Sequence, residues 1–225
     1  MKLVLPSKPV LQVALDLTCL GRATALATDL SRGIGCNKLL IEAGTPLIKS
    51  WGVLAVSLLN EVTKCMIVAD TKTMDTGALE AELMLKNGAS IVTVLGVADD
   101  YTIRDAINKA SDLGGYVAVD LINHPDPLNR AMYLVGKLGV DVIIYHIGID
   151  VQVSRKKTAI DLLKEVEEIK KEYPGAAIAV AGGIKPPQVP ELVRAGADII
   201  IVGSYITKSG DPVKAAKDII NKFQG

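Results

Sequence analysis

Eight short apolar segments recur along the chain at intervals of about two dozen residues, and the stretches between them have the periodicity of amphipathic helices. This alternation is typical of a parallel sheet, whose strands are buried on both faces and therefore consist of apolar, β-branched runs. We expect strands at residues 11–16, 38–42, 65–70, 91–95, 116–120, 142–146, 177–181 and 199–202.

Three segments repeat one theme, which favours closing the sheet into a barrel over leaving it open. KNGASIVTVLG begins at Lys86, KLGVDVIIYHIG at Lys137 and RAGADIIIVGS at Arg194. Each has a basic residue and a glycine at a helix end, followed by an apolar strand. A further amphipathic helix is expected at 158–172. Because no linker divides the chain, the sequence predicts an α/β protein, a single-domain (β/α)8 TIM barrel over residues 1–225.

Charge and cysteine content limit the partners of such a barrel. Lys and Arg number 25, as do Asp and Glu, so we expect neither nucleic acid nor a membrane as a partner. The N-terminal segment lacks the apolar core of a secretory signal, and a cytoplasmic location is expected. Cys19, Cys36 and Cys65 have no metal-type spacing, so we interpret them as small buried apolar residues that form no disulfide. A small molecule is the expected partner.

Five of the expected strands end in a charged or titratable residue. These residues are Asp16, Glu42, Asp70, Asp120 and His146. Any single one could be a solvated turn residue or a helix cap, since Asp is favoured at both. Because the carboxyl ends of barrel strands form the reaction site, their joint occurrence favours a catalytic rim.

The densest of these clusters is ADTKTMDTG, which begins at Ala69. Asp70 and Lys72 lie two residues apart and should project to the same side of an extended strand. Asp75 follows on the loop, so Lys72, flanked by two carboxylates, is expected to stay protonated. The alternative for this lysine is a surface ion pair.

The same rim offers a metal site, a proton carrier and a phosphate site. Glu42 and Asp70 supply two hard oxygen ligands that suit Mg²⁺, although carboxylates without a metal are the alternative. His146 is a candidate proton shuttle, with a buried, hydrogen-bonded histidine as the alternative. Glycine turns follow the last two strands, where barrels commonly bind phosphate through backbone N–H groups. The candidate phosphate-binding residues are Gly182, Gly183, Gly203 and Ser204.

These motifs together resemble the orotidine-monophosphate decarboxylase superfamily, and within it the 3-hexulose-6-phosphate synthases, over nearly the whole chain. The Asp-x-Lys-x-x-Asp element marks the superfamily. The wording Glu-x-Gly-Thr-Pro-Leu-Ile-Lys, from Glu42, is shared with its sugar-phosphate members. Further matching segments are LQVALD, TVLGVADD, VDLI, HIGID, AVAGGIK and IIIVGSYITKSGDP.

The resemblance implies a Mg²⁺-dependent aldol reaction between formaldehyde and ribulose 5-phosphate, or its reverse. It places the metal ligands at Glu42 and Asp70, the enediolate-stabilising lysine at Lys72 and the proton-transferring histidine at His146. The acids of the first and fifth strands fall on Asp16 and Asp120. The resemblance also implies a homodimer with shared active sites, in which Asp75 serves the neighbouring site.

Two alternatives stay open at this point. The related 3-keto-L-gulonate-6-phosphate decarboxylases carry an Arg shortly after the histidine, whereas this chain has His146-Ile-Gly-Ile-Asp. A barrel that binds a sugar phosphate without catalysis is the second alternative, although it would need neither metal ligands nor a proton shuttle. The chain departs from the synthase pattern at Asn123, where those enzymes usually have Gly. It departs again at Ser204, where many relatives have Arg or Gly.

Overall fold

A computed structural model describes residues 4–223 and shows eight parallel strands closed into a barrel in sequence order, with β8 paired to β1. This confirms the predicted TIM barrel. The strands are β1 Val10–Leu15, β2 Leu39–Ala43, β3 Met66–Thr73, β4 Ile91–Leu95, β5 Tyr116–Asp120, β6 Val142–His146, β7 Ala177–Ala181 and β8 Ile199–Val202.

Helices follow the strands and cover the outside of the barrel. They are α1 Leu20–Ile34, α2 Thr45–Trp51, α3 Val53–Thr63, α4 Gly77–Lys86, α5 Asp100–Asp112, α6 Pro127–Tyr133, α7 Ile149–Arg155, α8 Leu163–Glu172, α9 Val189–Ala195, α10 Ser204–Thr207 and α11 Pro212–Ile220. A π-helical turn, Leu134–Leu138, extends α6, and 3₁₀ turns lie at Ala159–Leu162 and Pro186–Gln188. The helix expected at 158–172 is therefore a capped 3₁₀ turn that continues into α8.

Alternate strand residues belong to two separate cores, because successive side chains of a strand point to opposite faces. One set fills the barrel interior and includes Val10, Leu40, Val68, Ile91, Ala118, Val142, Ala177 and Ile199. The other set, such as Val13 and Ile178, packs against the helices in a larger cluster. The barrel interior is thus filled with aliphatic side chains below its carboxyl-terminal rim.

At the amino-terminal rim of the barrel, the prediction that the cysteines form no disulfide is wrong. Cys36 and Cys65 form a disulfide, with their Cα atoms 4.9 Å apart. They precede the adjacent strands β2 and β3, and a separation of 29 residues in sequence gave no sign of this proximity. Cys65 is buried as expected, whereas Cys19 is a free, exposed thiol in the loop after β1.

Over residues 4–223, each helix is too short or too polar to span a bilayer. Those residues therefore provide no transmembrane segment.

Candidate active site

The carboxyl-terminal rim of the barrel gathers the acids, the lysine and the histidine singled out above. Asp16 directly follows β1, and Glu42 lies in β2. Asp120 and His146 are the last residues of β5 and β6. Asp16 is close enough to Asp70, Lys72 and His146 for their charges to affect its pKa. The structure therefore brings these side chains into one cluster.

Strand β3 reaches this cluster through an irregularity in its pairing with β4. Ala69 pairs with Val92 and Thr73 with Val94, so the three residues 70–72 stand opposite Thr93 alone. Lys72 takes the left-handed backbone conformation there, with φ of 50°. A regular extended strand was expected at this point. Residues 70–72 instead form a bulge with two extra residues, which carries both Asp70 and Lys72 to the rim.

Lys72 is held between two carboxylates. Its Nζ lies 2.8 and 2.6 Å from the two Oδ atoms of Asp70 and 3.4 Å from Oδ2 of Asp120. Burial lowers the pKa of this lysine, but Asp70, Asp120 and Glu42 raise it above its ordinary value. Lys72 is therefore a fixed positive charge at neutral pH.

Asp75 does not flank Lys72 as the sequence suggested. It lies exposed on the loop before α4, where its Oδ1 accepts a hydrogen bond from the amide of Thr76 at 2.8 Å. The second carboxylate beside Lys72 is Asp120, which comes from β5. Sequence spacing could not show this, because the contact joins residues 48 positions apart.

Glu42 and Asp70 form the most acidic part of the cluster. Both side chains are buried, and Gln12 Nε2 donates a hydrogen bond to Glu42 Oε2 at 2.6 Å. Burial, and then the negative charge of Asp70, raise the pKa of Glu42 well above its ordinary value. A cation between these two buried carboxylates would reduce the repulsion between their charges.

Two threonines orient Asp70. Thr45 Oγ1, at the start of α2, donates to Asp70 Oδ2 at 2.6 Å, and Thr93 Oγ1 donates to Oδ1 at 3.0 Å. The sequence motifs assigned no role to Thr45, Thr93 or Gln12. A polar side chain within each apolar run, as in LQVAL and IVTVL, is the signal that could have identified Gln12 and Thr93.

His146 is paired with Asp120. Its Nδ1 lies 2.9 Å from Asp120 Oδ2, and the amide of Ile122 donates to Oδ1 at 2.9 Å. Burial would raise the pKa of Asp120, but His146, Lys72 and this amide lower it below the ordinary value. An ionised Asp120 favours the tautomer with a proton on Nδ1, which leaves Nε2 free to exchange protons.

Asp16 lies at the open edge of the cluster, beside two glycines. A Cβ atom on Gly44 would come within 2.3 Å of Asp16 Oδ1 and 2.9 Å of the Leu15 carbonyl oxygen. A Cβ on Gly203 would lie 3.5 Å from Asp16 Oδ2. Partial burial and the charge of Asp70 raise the pKa of Asp16. Gly44, in the Glu-x-Gly-Thr-Pro motif, thus leaves room for this carboxylate.

The glycine turns expected to bind phosphate lie at the same rim. Gly182 and Gly183 both have positive φ, of 126° and 65°. A Cβ on Gly183 would meet Gln152 Oε1 of α7 at 2.8 Å. Gly203 and Ser204 follow β8, and Ser204 is the first residue of the short helix α10. The two turns extend neighbouring strands and lie side by side.

Asn123 replaces a glycine that the resembling synthases usually have. Its backbone is left-handed, with φ of 56°. Asparagine tolerates this conformation better than most residues other than glycine. An asparagine at position 123 therefore suits the left-handed conformation of the loop after β5.

The donor set at the rim fits a hard divalent cation. Residues 4–223 contain no group of three or more His, Cys, Asp or Glu side chains that could hold a metal ion without other ligands. Glu42 and Asp70 supply two carboxylates, which suits Mg²⁺ because this ion keeps several water ligands. Asp16, Glu42, Asp70 and Asp120 are all close enough to Lys72 for their charges to interact with it. This excess of negative charge also favours a bound cation.

Comparison with known proteins identifies the family of this chain. Residues 9–219 match the model of the orotidine 5'-phosphate decarboxylase / HUMPS family. The 3-hexulose-6-phosphate synthase 1 of Staphylococcus saprophyticus is 37% identical over 96% of this chain and 99% of its own.

Solved structures place the chain in the same group. The crystal structure of 3-hexulose-6-phosphate synthase from Salmonella typhimurium has a TM-score of 0.86 at 35% identity, covering 96% of this chain and 98% of that one. A crystal structure of KGPDC from Streptococcus mutans also has a TM-score of 0.86 but 25% identity, covering 96% and 97%. The chain thus belongs to the orotidine 5'-phosphate decarboxylase / HUMPS family.

Proposed function

We propose that this enzyme is a 3-hexulose-6-phosphate synthase, which joins formaldehyde to ribulose 5-phosphate or catalyses the reverse cleavage. The observation that carries the proposal is the Asp70–Lys72–Asp120–His146 chain of contacts at the barrel rim. It unites a fixed positive charge with an oriented imidazole. Relatives that match this chain at 35–37% identity bear the synthase name. The structure of KGPDC, the 3-keto-L-gulonate-6-phosphate decarboxylase, is only 25% identical. This difference in identity favours the synthase over the decarboxylase.

The reaction requires a proton to leave the sugar carbon beside the carbonyl. Nε2 of His146 takes this proton, and Asp120 stabilises the imidazolium that forms. The electron pair of the broken C–H bond becomes an enediolate, and the Lys72 ammonium stabilises its negative charge. The enediolate carbon then bonds to the carbon of formaldehyde, and His146 returns a proton to the formaldehyde oxygen.

In this proposal Glu42 and Asp70 would hold Mg²⁺, and the bound ion would supply a Lewis acid for the sugar carbonyl. Thr45 and Gln12 keep the two carboxylates oriented through the hydrogen bonds described above. The phosphate would bind the backbone N–H groups at Gly182, Gly183, Gly203 and Ser204. A sugar phosphate is charged and retained within cells, which is our reason for proposing a cytoplasmic location.

The main test is an assay that couples formaldehyde and ribulose 5-phosphate to hexulose phosphate formation. We expect turnover with Mg²⁺ and a loss of at least about 10²-fold in excess chelator. Equal rates in chelator would remove the metal from the proposal. Decarboxylation of 3-keto-L-gulonate 6-phosphate, assayed under the same conditions, would indicate the related decarboxylase if it were the faster reaction.

A homodimer with shared sites is a further part of the proposal. Asp75 lies on an exposed loop, and apolar side chains are exposed on this loop and on helices α3, α4 and α5, in which α4 packs against both α3 and α5. These side chains are Leu54 of α3, Met74 of the loop, Leu79 and Leu83 of α4 and Tyr101 of α5. An apolar surface of this kind is typical of subunit interfaces.

Subunit mixing tests the shared site. Lys72→Ala and Asp75→Ala variants should each be nearly inactive, because one lacks the lysine and the other the partner's acid. After unfolding and refolding together, half of the dimers are mixed and have one complete site, so about a quarter of the wild-type activity should return. Mixtures as inactive as the separate variants would show that Asp75 does not act across an interface.

A further inference from the structure

Thr93 is the residue of β4 that stands opposite the bulge in β3. Its side chain is 1% exposed, and its Oγ1 accepts a hydrogen bond from the Lys72 amide at 3.0 Å. The same oxygen donates to Asp70 Oδ1 at 3.0 Å. Its carbonyl oxygen accepts from Thr71 Oγ1 at 2.7 Å. One residue thus contacts each of the three residues of the bulge.

Those contacts compensate for an unfavourable local conformation. Lys72 has φ of 50°, which a side chain with a Cβ rarely adopts, and the regular ladder is interrupted between Ala69 and Thr73. The Lys72 amide therefore has no regular strand partner, and the Thr93 hydroxyl takes that place. A hydroxyl can accept and donate at once, whereas Val, of nearly the same shape, can do neither.

We propose that Thr93 is a positioning residue, which holds the bulge so that Asp70 and Lys72 meet at the barrel rim. Thr93 itself need not touch the substrate, because both hydrogen bonds of its hydroxyl go to neighbouring residues of the same chain. The kinetic part of this inference rests on the proposed synthase function. Its structural part does not.

The structural part is tested by amide hydrogen exchange, followed by NMR in the absence of metal and substrate. In Thr93→Val the Lys72 amide should exchange about tenfold faster relative to other β-strand amides, because its hydrogen-bond acceptor is gone. Thr93→Ser keeps the hydroxyl and should restore the protection. Thr63→Val is the matched control. Thr63 is also buried, but it ends α3 at the opposite rim, where its hydroxyl donates to the carbonyl oxygen of Leu59.

The kinetic part separates positioning from substrate contact. Thr93→Val should lower kcat by about 30-fold while changing KM for ribulose 5-phosphate by less than about threefold, and Thr93→Ser should recover most of kcat. Unchanged exchange at Lys72, or wild-type kcat in the Val variant, would overturn the proposal. If the wild-type enzyme fails to turn over these substrates, the proposed function fails, and the exchange measurement alone decides the role of Thr93.

Discussion

Acidic side chains have different environments at the two rims of the barrel. At the carboxyl-terminal rim, Asp16 and Glu42 have raised pKa values, because burial and the nearby charge of Asp70 disfavour their ionised forms. At the amino-terminal rim, Asp198 accepts hydrogen bonds from Lys170 Nζ at 2.8 Å and from the Ile178 amide at 2.9 Å. One rim concentrates like charges, and the other neutralises its buried acid.

The difference indicates which rim serves chemistry and which serves stability. A cluster of like charges costs folding free energy, and it persists where it provides a site for a cation or a developing charge. Satisfied ion pairs and hydrogen bonds do not need a ligand. Changes at the first rim should therefore alter turnover, and changes at the second should alter the free energy of unfolding.

The largest expected effect is the loss of Lys72. Lys72→Met removes the positive charge that contacts both Asp70 and Asp120, so kcat should fall by about 10³-fold, or about 4 kcal/mol. Steady-state assays with Mg²⁺ measure this. The matched control is Lys170→Met, the same change at the opposite rim, which should leave kcat within about twofold. Similar losses of kcat in both variants would contradict the division between the rims.

The strands and the order of the barrel could be predicted from the sequence, because each strand is a local apolar run. The bounds of β4 to β8 agree with the prediction, whereas β1 and β2 are shifted by one residue. Strand β3 extends three residues further than expected, to Thr73. In this extension Thr73 pairs with Val94 of the next strand, and a local pattern does not contain such information.

The rim residues of the candidate site were also predictable, since Asp16, Glu42, Asp70 and Asp120 each end an apolar run. Their partners were not. Lys72 contacts Asp120 and not Asp75, and Gln12 orients Glu42, because closure of the barrel brings distant strands together. The Cys36–Cys65 disulfide was missed for the same reason.

A smaller effect is expected at the amino-terminal rim. Asp198→Asn leaves Lys170 and Lys8 without their carboxylate, and the pair with Lys170 is largely buried. The free energy of unfolding in urea should fall by about 2 kcal/mol, with kcat at 25 °C unchanged. Glu168→Gln, which breaks an exposed ion pair with Lys164, is the control and should cost less than about 0.5 kcal/mol. A loss of kcat in Asp198→Asn would show that this rim affects the site.

The smallest expected effect is a gain in stability at the catalytic rim. The folded-state pKa of Glu42 is raised above 4.5, so the folded protein binds this proton more tightly than the unfolded chain does. The contribution of Glu42 to stability is therefore complete below pH 4.5 and is lost as the pH rises through the folded-state pKa. Glu42→Gln does not titrate, so in chelator it should exceed the wild type by about 1–2 kcal/mol more at pH 8 than at pH 5.

Urea unfolding of both proteins at the two pH values measures this difference, because groups that titrate alike in both proteins cancel. Glu61→Gln, which removes an exposed carboxylate, is the matched control. Adding Mg²⁺ at pH 8 should stabilise the wild type more than Glu42→Gln, since a ligand that binds only the folded state raises its stability. If the stability gap between Glu42→Gln and the wild type were the same at pH 5 and pH 8, the carboxylate of Glu42 would carry no folding cost. The contrast between the rims would then rest on Asp16 and on the effect of Lys72→Met.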